Sequence, residues 1–313
     1  MQQIIELILD SGETGINLAL YVLLPVMVVM MSFMRVLEDR GVLARIAILL
    51  SPLLIFFGLP GLGVFAIVQV LLVSFAAPLA TLRIIEWDQE ISKKKIAATL
   101  AAIFAMSQAN ATFPLAVVGL NLPITMATSL LGGVIAAFIA YKLADNGEPT
   151  EIQENTEDLA EVTQTEKSGI LQVLFKGGEE GIQVAFKAIP ALILAILAVN
   201  ILRTVGAIDL LETALSPFLT RIGIPSIAVL PVATKYLAGG TAMMAITLDL
   251  VAEGALTAAE LNKIAGFTIN PIDPVAIAVL ISAGHRVSSQ LAPALKGAVV
   301  GVLVRAVIHF IIF

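Results

Sequence analysis

Two stretches of the chain carry the same punctuation. Gly41 opens an apolar segment that breaks at Ser51-Pro52 and ends at Gly58-Leu59-Pro60; Gly206 opens another that breaks at Ser216-Pro217 and ends at Gly223-Ile224-Pro225. Each matched position lies 165 residues from its partner. A proline inside a helix frees the carbonyl four residues back. In lipid that carbonyl needs another partner, so each break has to be supported by the structure around it. A fold for this chain therefore has to place one broken apolar segment twice.

The environment follows from what surrounds the two segments. Hydrophobic residues make up 58% of the chain and charged residues 13%, against about a quarter charged in soluble domains. A membrane crossing takes about 20 apolar residues. Runs near that length occur at 15–36, 62–82, 96–113 and 122–143, and in the second half at 226–248 and 289–313. The reading is an integral protein of a prokaryotic cytoplasmic membrane, with the lipid bilayer as its first partner and no nucleic-acid partner. The opening residues hold Glu6, Asp10 and Glu13 without Lys or Arg, the wrong flank for a cleaved signal peptide. The first run is therefore expected to stay as a span. Cysteine is absent and only His285 and His309 are present. That removes thiolate chemistry and disulfides and argues against a His-rich metal site.

Residues 144–168 differ in kind, with eight acids (Asp145, Glu148, Glu151, Glu154, Glu157, Asp158, Glu161, Glu166) and no long apolar run. They read as a solvated linker. The chain then divides into a first repeat (1–143), an acidic cytoplasmic linker (144–176) and a second repeat (177–313). Further echoes support the division. Gly178-Glu179-Glu180-Gly181 answers Gly12-Glu13-Thr14-Gly15, Pro190 answers Pro25, and Lys263-Ile264-Ala265 answers Lys95-Ile96-Ala97. Asn270 and Pro274 answer Asn110 and Pro114, here at a spacing of 160. Five crossings per repeat put Arg35, Arg40, Arg45, Arg83, Lys93-Lys94-Lys95 and Lys142 on one side, as the positive-inside rule asks. A re-entrant Ser-Pro segment would split the first two clusters. The expected fold class is an all-α polytopic membrane protein: two inverted five-helix repeats, about ten membrane helices, several broken by proline, both termini outside. Inverted repeats with broken helices mark secondary transporters, whose site lies near the midplane at the repeat interface.

The run Gly178-Glu179-Glu180-Gly181, Ile189-Pro190, Arg203 to Leu211, Leu215-Ser216-Pro217 and Gly223-Ile224-Pro225 resembles the bacterial spore-maturation proteins and, more broadly, the nucleoside-recognition, or Gate, family. The likeness is closest over 178 to about 245, and the first half resembles a diverged second Gate unit. Related Gate segments occur in concentrative nucleoside transporters and in the bacterial ferrous-iron transporter B. The resemblance implies recognition of a small solute, nucleoside-like by inheritance. The iron transporter's Gate segments use cysteine, which this chain lacks.

Candidate residues follow from energetic cost. Lys235 and Asp273 fall inside apolar runs, where a charge normally faces a partner or a cavity. They read either as a solute or ion site or as a structural pair; at the spacings above their first-half counterparts are Val70 and Phe113. Asn110 and Asn270, each four residues before a proline, can offer donor and acceptor at a break or can simply cap it. Gln108 and Thr112 stand beside Asn110. Gly240 and Thr241 allow either close solute approach or close helix packing. Ser51, Pro52, Ser216 and Pro217 read as gating breaks or static kinks. Lys93-Lys94-Lys95 reads as a topology signal, Glu13 and Glu179 as helix N-terminal charges, and Arg305 and His309 as snorkelling side chains. No phosphate loop, catalytic triad or metal cluster is apparent, so an enzyme is not expected. The expected function is secondary transport of a small polar solute without a resident cofactor, with Na+ or H+ as coupling ion. A non-transporting scaffold and a metal-ion transporter are the alternatives, and a homo-oligomer is compatible with both.

Overall fold

A computed structural model describes residues 2–145, 169–206, 210 and 224–313. Ser216, Pro217 and most of the acidic linker lie outside the described residues. The described residues are helical and contain no strand.

The first half opens on α1 (Gln2–Asn17), a π-helical turn (Leu18–Leu23) and α2 (Leu24–Asp39). Then come α3 (Val42–Ile55), α4 (Gly61–Leu72), α5 (Pro78–Trp87), α6 (Lys93–Ala105), α7 (Ala109–Val117) and α8 (Leu122–Leu143). The second half holds α9 (Ile170–Thr204), a 3-10 turn (Ser226–Ala228), α10 (Val229–Ala238), α11 (Gly240–Ala252), α12 (Ala258–Thr268), α13 (Pro274–Ile281), α14 (His285–Ser289) and α15 (Leu291–Ile312). Five stretches are long and apolar enough to cross a membrane: Ile4–Asp39, Lys93–Val117, Leu122–Leu143, Ile170–Ala198 and Leu291–Ile312.

Element boundaries recur at 165 residues. Gly41 and Gly206 both take positive φ, +67° and +73°. Pro60 and Pro225 share an extended backbone (φ −70°, ψ 163° and φ −70°, ψ 150°) immediately before a helix. Ser92 caps α6 by accepting from the Lys95 N–H, and Thr257 caps α12 by accepting from the Glu260 N–H. Gln108 and Asp273 are the residues preceding α7 and α13. The 165 spacing thus persists through the second helix break. Asn110 lies inside the first turn of α7, whereas Asn270 lies in the break ahead of α13. At the 165 spacing the position matching Asp273 is Gln108, where the 160 spacing gives Phe113.

Equivalent long helices pack antiparallel. Along α1–α2 and α9, Asn200 Nδ2 donates to Ser11 Oγ (3.0 Å), Gly15 lies against Ile193, Gly181 against the Met27 backbone, and Ser32 Oγ donates to the Leu174 carbonyl (2.8 Å). One number rises as the other falls. α8 and α15 behave alike, with Gly132 on Gly301 and Arg305, Gly297 on Ala136 and Ala140, and Thr128 on His309. These contacts run through glycine because backbones approach closely there; a methyl on Gly301 would lie 2.3 Å from the Gly132 carbonyl oxygen.

The run 62–82 is not one crossing. Thr81 Oγ1 donates to Gln69 Oε1 at 2.7 Å, yet twelve residues of straight helix would separate them by about 18 Å. α4 and α5 therefore fold back as a hairpin with its tip at 73–77. α10 and α11 turn at Gly239, whose φ of +94° only glycine adopts readily. Gly41 and Leu43 at one end of α3 share a cavity with Ile84 and Lys176, and Gly58 beyond its other end meets Tyr141, whose ring Lys94 overlies. The runs 62–82 and 226–248, each expected as one crossing, are thus hairpins rather than single helices.

Candidate functional site

The two hairpin tips and the two helix breaks meet. Asn110, in the first turn of α7, accepts from the Phe75 N–H of the first tip (3.4 Å) and donates through Nδ2 to Thr241 Oγ1 of the second (3.4 Å). Beside it lies a cavity of about 370 Å3 lined by Ser74, Gln108, Asn110, Gly239, Gly240, Thr241, Asp273 and the side chains of Met27, Val275 and Val279, with Lys187 and Ala188 of α9 on its wall. Five sequence-predicted residues thus share one cavity: Gln108, Asn110, Gly240, Thr241 and Asp273.

Asp273 closes the break before α13. Its Oδ1 accepts from the Ala276 N–H at 2.9 Å, and its Oδ2 accepts from Lys235 Nζ at 2.5 Å. Lys235 is 0% exposed and Asp273 3%. A charge so placed is tolerated only when paired and hydrogen-bonded. The pair ties the C-terminal end of α10 to the N-terminal end of α13 and presents a neutral couple to the cavity.

The remaining predicted residues lie elsewhere. Asn270 is fully buried, donates to the Phe267 carbonyl (2.8 Å) and accepts from the Ile272 N–H (2.9 Å). Its capacity goes into holding the break open. Thr112 Oγ1 donates to the Gln108 carbonyl (2.9 Å) within its own helix. Ser51 Oγ donates to the Ala47 carbonyl (2.8 Å) inside α3, away from the cavity. Ser216 and Pro217 are not described.

Arg305 corrects its sequence reading. It is 0% exposed and does not snorkel. Nη1 donates to the carbonyls of Ala105 (2.5 Å) and Ile269 (3.1 Å), and Nη2 to Ser107 Oγ (2.7 Å). Those carbonyls end α6 and α12, where helix dipoles leave partial negative charge. One guanidinium therefore neutralises both broken ends. His309 is also buried, between Thr128 Oγ1 (3.0 Å) and the Asn262 carbonyl (2.6 Å). The signal for both was available, since polar groups in a final apolar run either reach the interface or find partners. Residue type alone does not choose between these outcomes.

Sequence reasoning missed Ser74, Phe75 and Lys187. Lys187 is the middle residue of α9, and a lysine at the centre of a span is the signal that could have found it.

No protein-family model matches the chain. Spore maturation protein B of Bacillus subtilis is 40% identical over 77 residues, 25% of this chain and 43% of that protein. The chain therefore aligns with less than half the length of that relative. Over most of its length it has the fold of CNTnw. A double variant of CNTnw in an outward-facing state superposes with a TM-score of 0.69 at 20% identity, covering 94% of this chain and 75% of the other. CNTnw in an inward-facing substrate-bound state gives 0.67 at 19% identity, covering 94% and 74%. A single-residue variant in an intermediate state gives 0.69 at 20%, covering 94% and 76%. The chain is an integral membrane protein with five stretches long and apolar enough to cross a bilayer among the described residues, and it shares the fold of CNTnw.

Proposed function

We propose that this chain is a secondary transporter of a small polar solute in a prokaryotic cytoplasmic membrane. The observation that carries the reading is the cavity at the meeting of two hairpin tips and two helix breaks, with Asn110 touching both tips. Such a cavity collects free helix-terminal groups at membrane depth, where they have no other use. The fold shared with CNTnw, a chain caught in outward-facing, intermediate and inward-facing states, supports alternating access.

The halves are related by inversion about an axis in the membrane plane. Antiparallel packing of 165-spaced helices is what that symmetry requires. Each half then crosses three times (α1–α2, α6–α7, α8, and α9, α12–α13, α15) and carries one hairpin. This arrangement keeps Arg40, Arg45, Arg83, Lys93-Lys94-Lys95 and Lys142 on the cytoplasmic side, with the linker, and both termini outside. Asn110, Gln108, Thr241 and Gly240 contact the solute, and the Asp273–Lys235 pair fixes the second break. Coupling to Na+ or H+ belongs to the same proposal. The scaffold alternative requires these residues dry and packed, and the cavity disfavours it.

Purified protein in proteoliposomes, challenged with outward or inward Na+ and H+ gradients and a panel of labelled solutes, tests the proposal. Uptake above empty liposomes, lost in Asn110→Ala, is expected. No gradient-dependent uptake of any solute, with an unaltered unfolding midpoint across the panel, would overturn it.

A further inference from the structure

The cavity holds one charge that no group among the described residues balances. Lys187 lines it from the middle of the 35-residue α9 and is an exposed residue. Asp273 is the one carboxylate lining the cavity among the described residues. Both its oxygens are engaged, by Lys235 and by the Ala276 N–H. Lys187 forms no ion pair among the described residues. A lone ammonium at the centre of a span needs a counter-charge.

A second group also needs an acceptor. Gln108 is 1% exposed and lines the cavity, yet its Nε2 donor has no partner among the described residues. That nitrogen lies directly over Gly240, where a methyl would fall 1.6 Å from it. Gln108 immediately precedes α7, so the free N–H groups of that helix's first turn begin beside it. An unpaired cation, an orphan donor and a helix N-terminus surround one space.

We infer that the solute taken by this cavity carries a single negative charge on a carboxylate, held by Lys187 and the Gln108 amide. The inference rests on the cavity being a solute site, as proposed above. Charge counting selects the group: one carboxylate neutralises one lysine, whereas a phosphate monoester brings about −1.5 to −2 at pH 7 and leaves excess charge at membrane depth. Gly240 has no side chain because the Gln108 donor occupies that space.

Because the chain has no cysteine, the cavity's charge preference can be read without knowing the solute. Val279→Cys and Val275→Cys each place a thiol on the wall. Their rates with a sulfonate-bearing and a trimethylammonium-bearing methanethiosulfonate are measured in purified protein, each relative to free 2-mercaptoethanol. The anionic reagent is expected to be favoured by at least about tenfold, as fields focused in a cleft allow. The preference should fall to about one in Lys187→Met and survive in Lys187→Arg. Lactate, pyruvate or benzoate should protect the thiol; uridine and inorganic phosphate should not. No anionic preference, a preference indifferent to Lys187→Met, protection by uridine or phosphate, or no protection by any carboxylate would each overturn the inference while leaving a hydrated cavity. Failure of both reagents to reach either cysteine would instead remove the proposed function along with it.

Discussion

The break before α7 and the break before α13 occupy the same place in the two halves, 165 residues apart, and are built differently. The first presents Gln108, uncharged, which lines the cavity and whose Nε2 donor has no partner among the described residues. The second presents Asp273, with both oxygens satisfied and an ion pair to Lys235. The position matching Lys235 is Val70, and the position matching Arg305 is Ala140. Backbone punctuation is duplicated while buried charge is not. A shared frame thus carries two kinds of break, one fastened by charge and one with a donor left unpaired among the described residues.

The sharpest test of that contrast is the ion pair. Removing either partner alone leaves a buried charge uncompensated, at a cost of about 3–5 kcal/mol. Asp273→Asn and Lys235→Met should each lower the unfolding midpoint in detergent strongly, and the double variant should recover most of it without recovering solute binding. Gln108→Ala, at the matching site, should hardly move the midpoint and should weaken binding. If Gln108→Ala proves as destabilising as Asp273→Asn, the two breaks are structurally alike and the contrast fails.

Arg305 comes next. It serves the ends of α6 and α12 together, so Arg305→Met strips partners from Ala105, Ile269 and Ser107 at once. Hydrogen bonds to charged groups contribute about 1.5–3 kcal/mol each before compensation, so a loss of about 3 kcal/mol is expected. Hydrogen exchange should show both breaks loosening. Loosening confined to one break would show that Arg305 does not couple the halves.

Glycine at the head of each Ser-Pro segment tests the duplicated frame. Among the described residues neither Gly41 nor Gly206 has a neighbour that a methyl would strike, so the positive φ is what matters. Gly41→Ala and Gly206→Ala should therefore each cost about 1–2 kcal/mol, and by nearly equal amounts. A large inequality in unfolding midpoints would mean that the two turns carry different loads.

Legibility in the sequence tracked the same division. Glycine, proline and capping residues act through local backbone geometry, so Gly41, Pro60 and their partners could be matched by spacing alone. The hairpins could not. A run such as 62–82 is apolar enough to cross, and nothing local announces that Gln69 will meet Thr81; that contact depends on the chain turning back. The cavity residues were legible where a polar group at depth needed explaining, as with Asn110 and Asp273. Asn270 met the same criterion and proved to be a structural cap. Lys187 went unread because 170–204 was not picked out as an apolar run, so a lysine at its centre raised no question. Composition states that a polar group must be satisfied, and tertiary packing decides by what.

The smallest expected effects lie at the caps of α6 and α12. Ser92 offers one acceptor to the Lys95 N–H at 3.4 Å. Thr257 accepts from the Glu260 N–H at 3.3 Å, and Glu260 Oε2 accepts in return from the Thr257 N–H (2.8 Å) and hydroxyl (2.7 Å). The second cap is therefore a reciprocal box that satisfies two free backbone donors rather than one. Loss of a capping side chain costs about 0.5–2 kcal/mol. Ser92→Ala should fall near the bottom of that range, and Thr257→Ala near 1 kcal/mol or above. Glu260→Gln keeps an acceptor for the Thr257 N–H and removes the carboxylate from the first turn of α12, so it should fall between them. If Ser92→Ala lowers the unfolding midpoint more than Thr257→Ala, the added Glu260 bonds contribute nothing, and the second half has no reinforcement at its cap to match the one at its break.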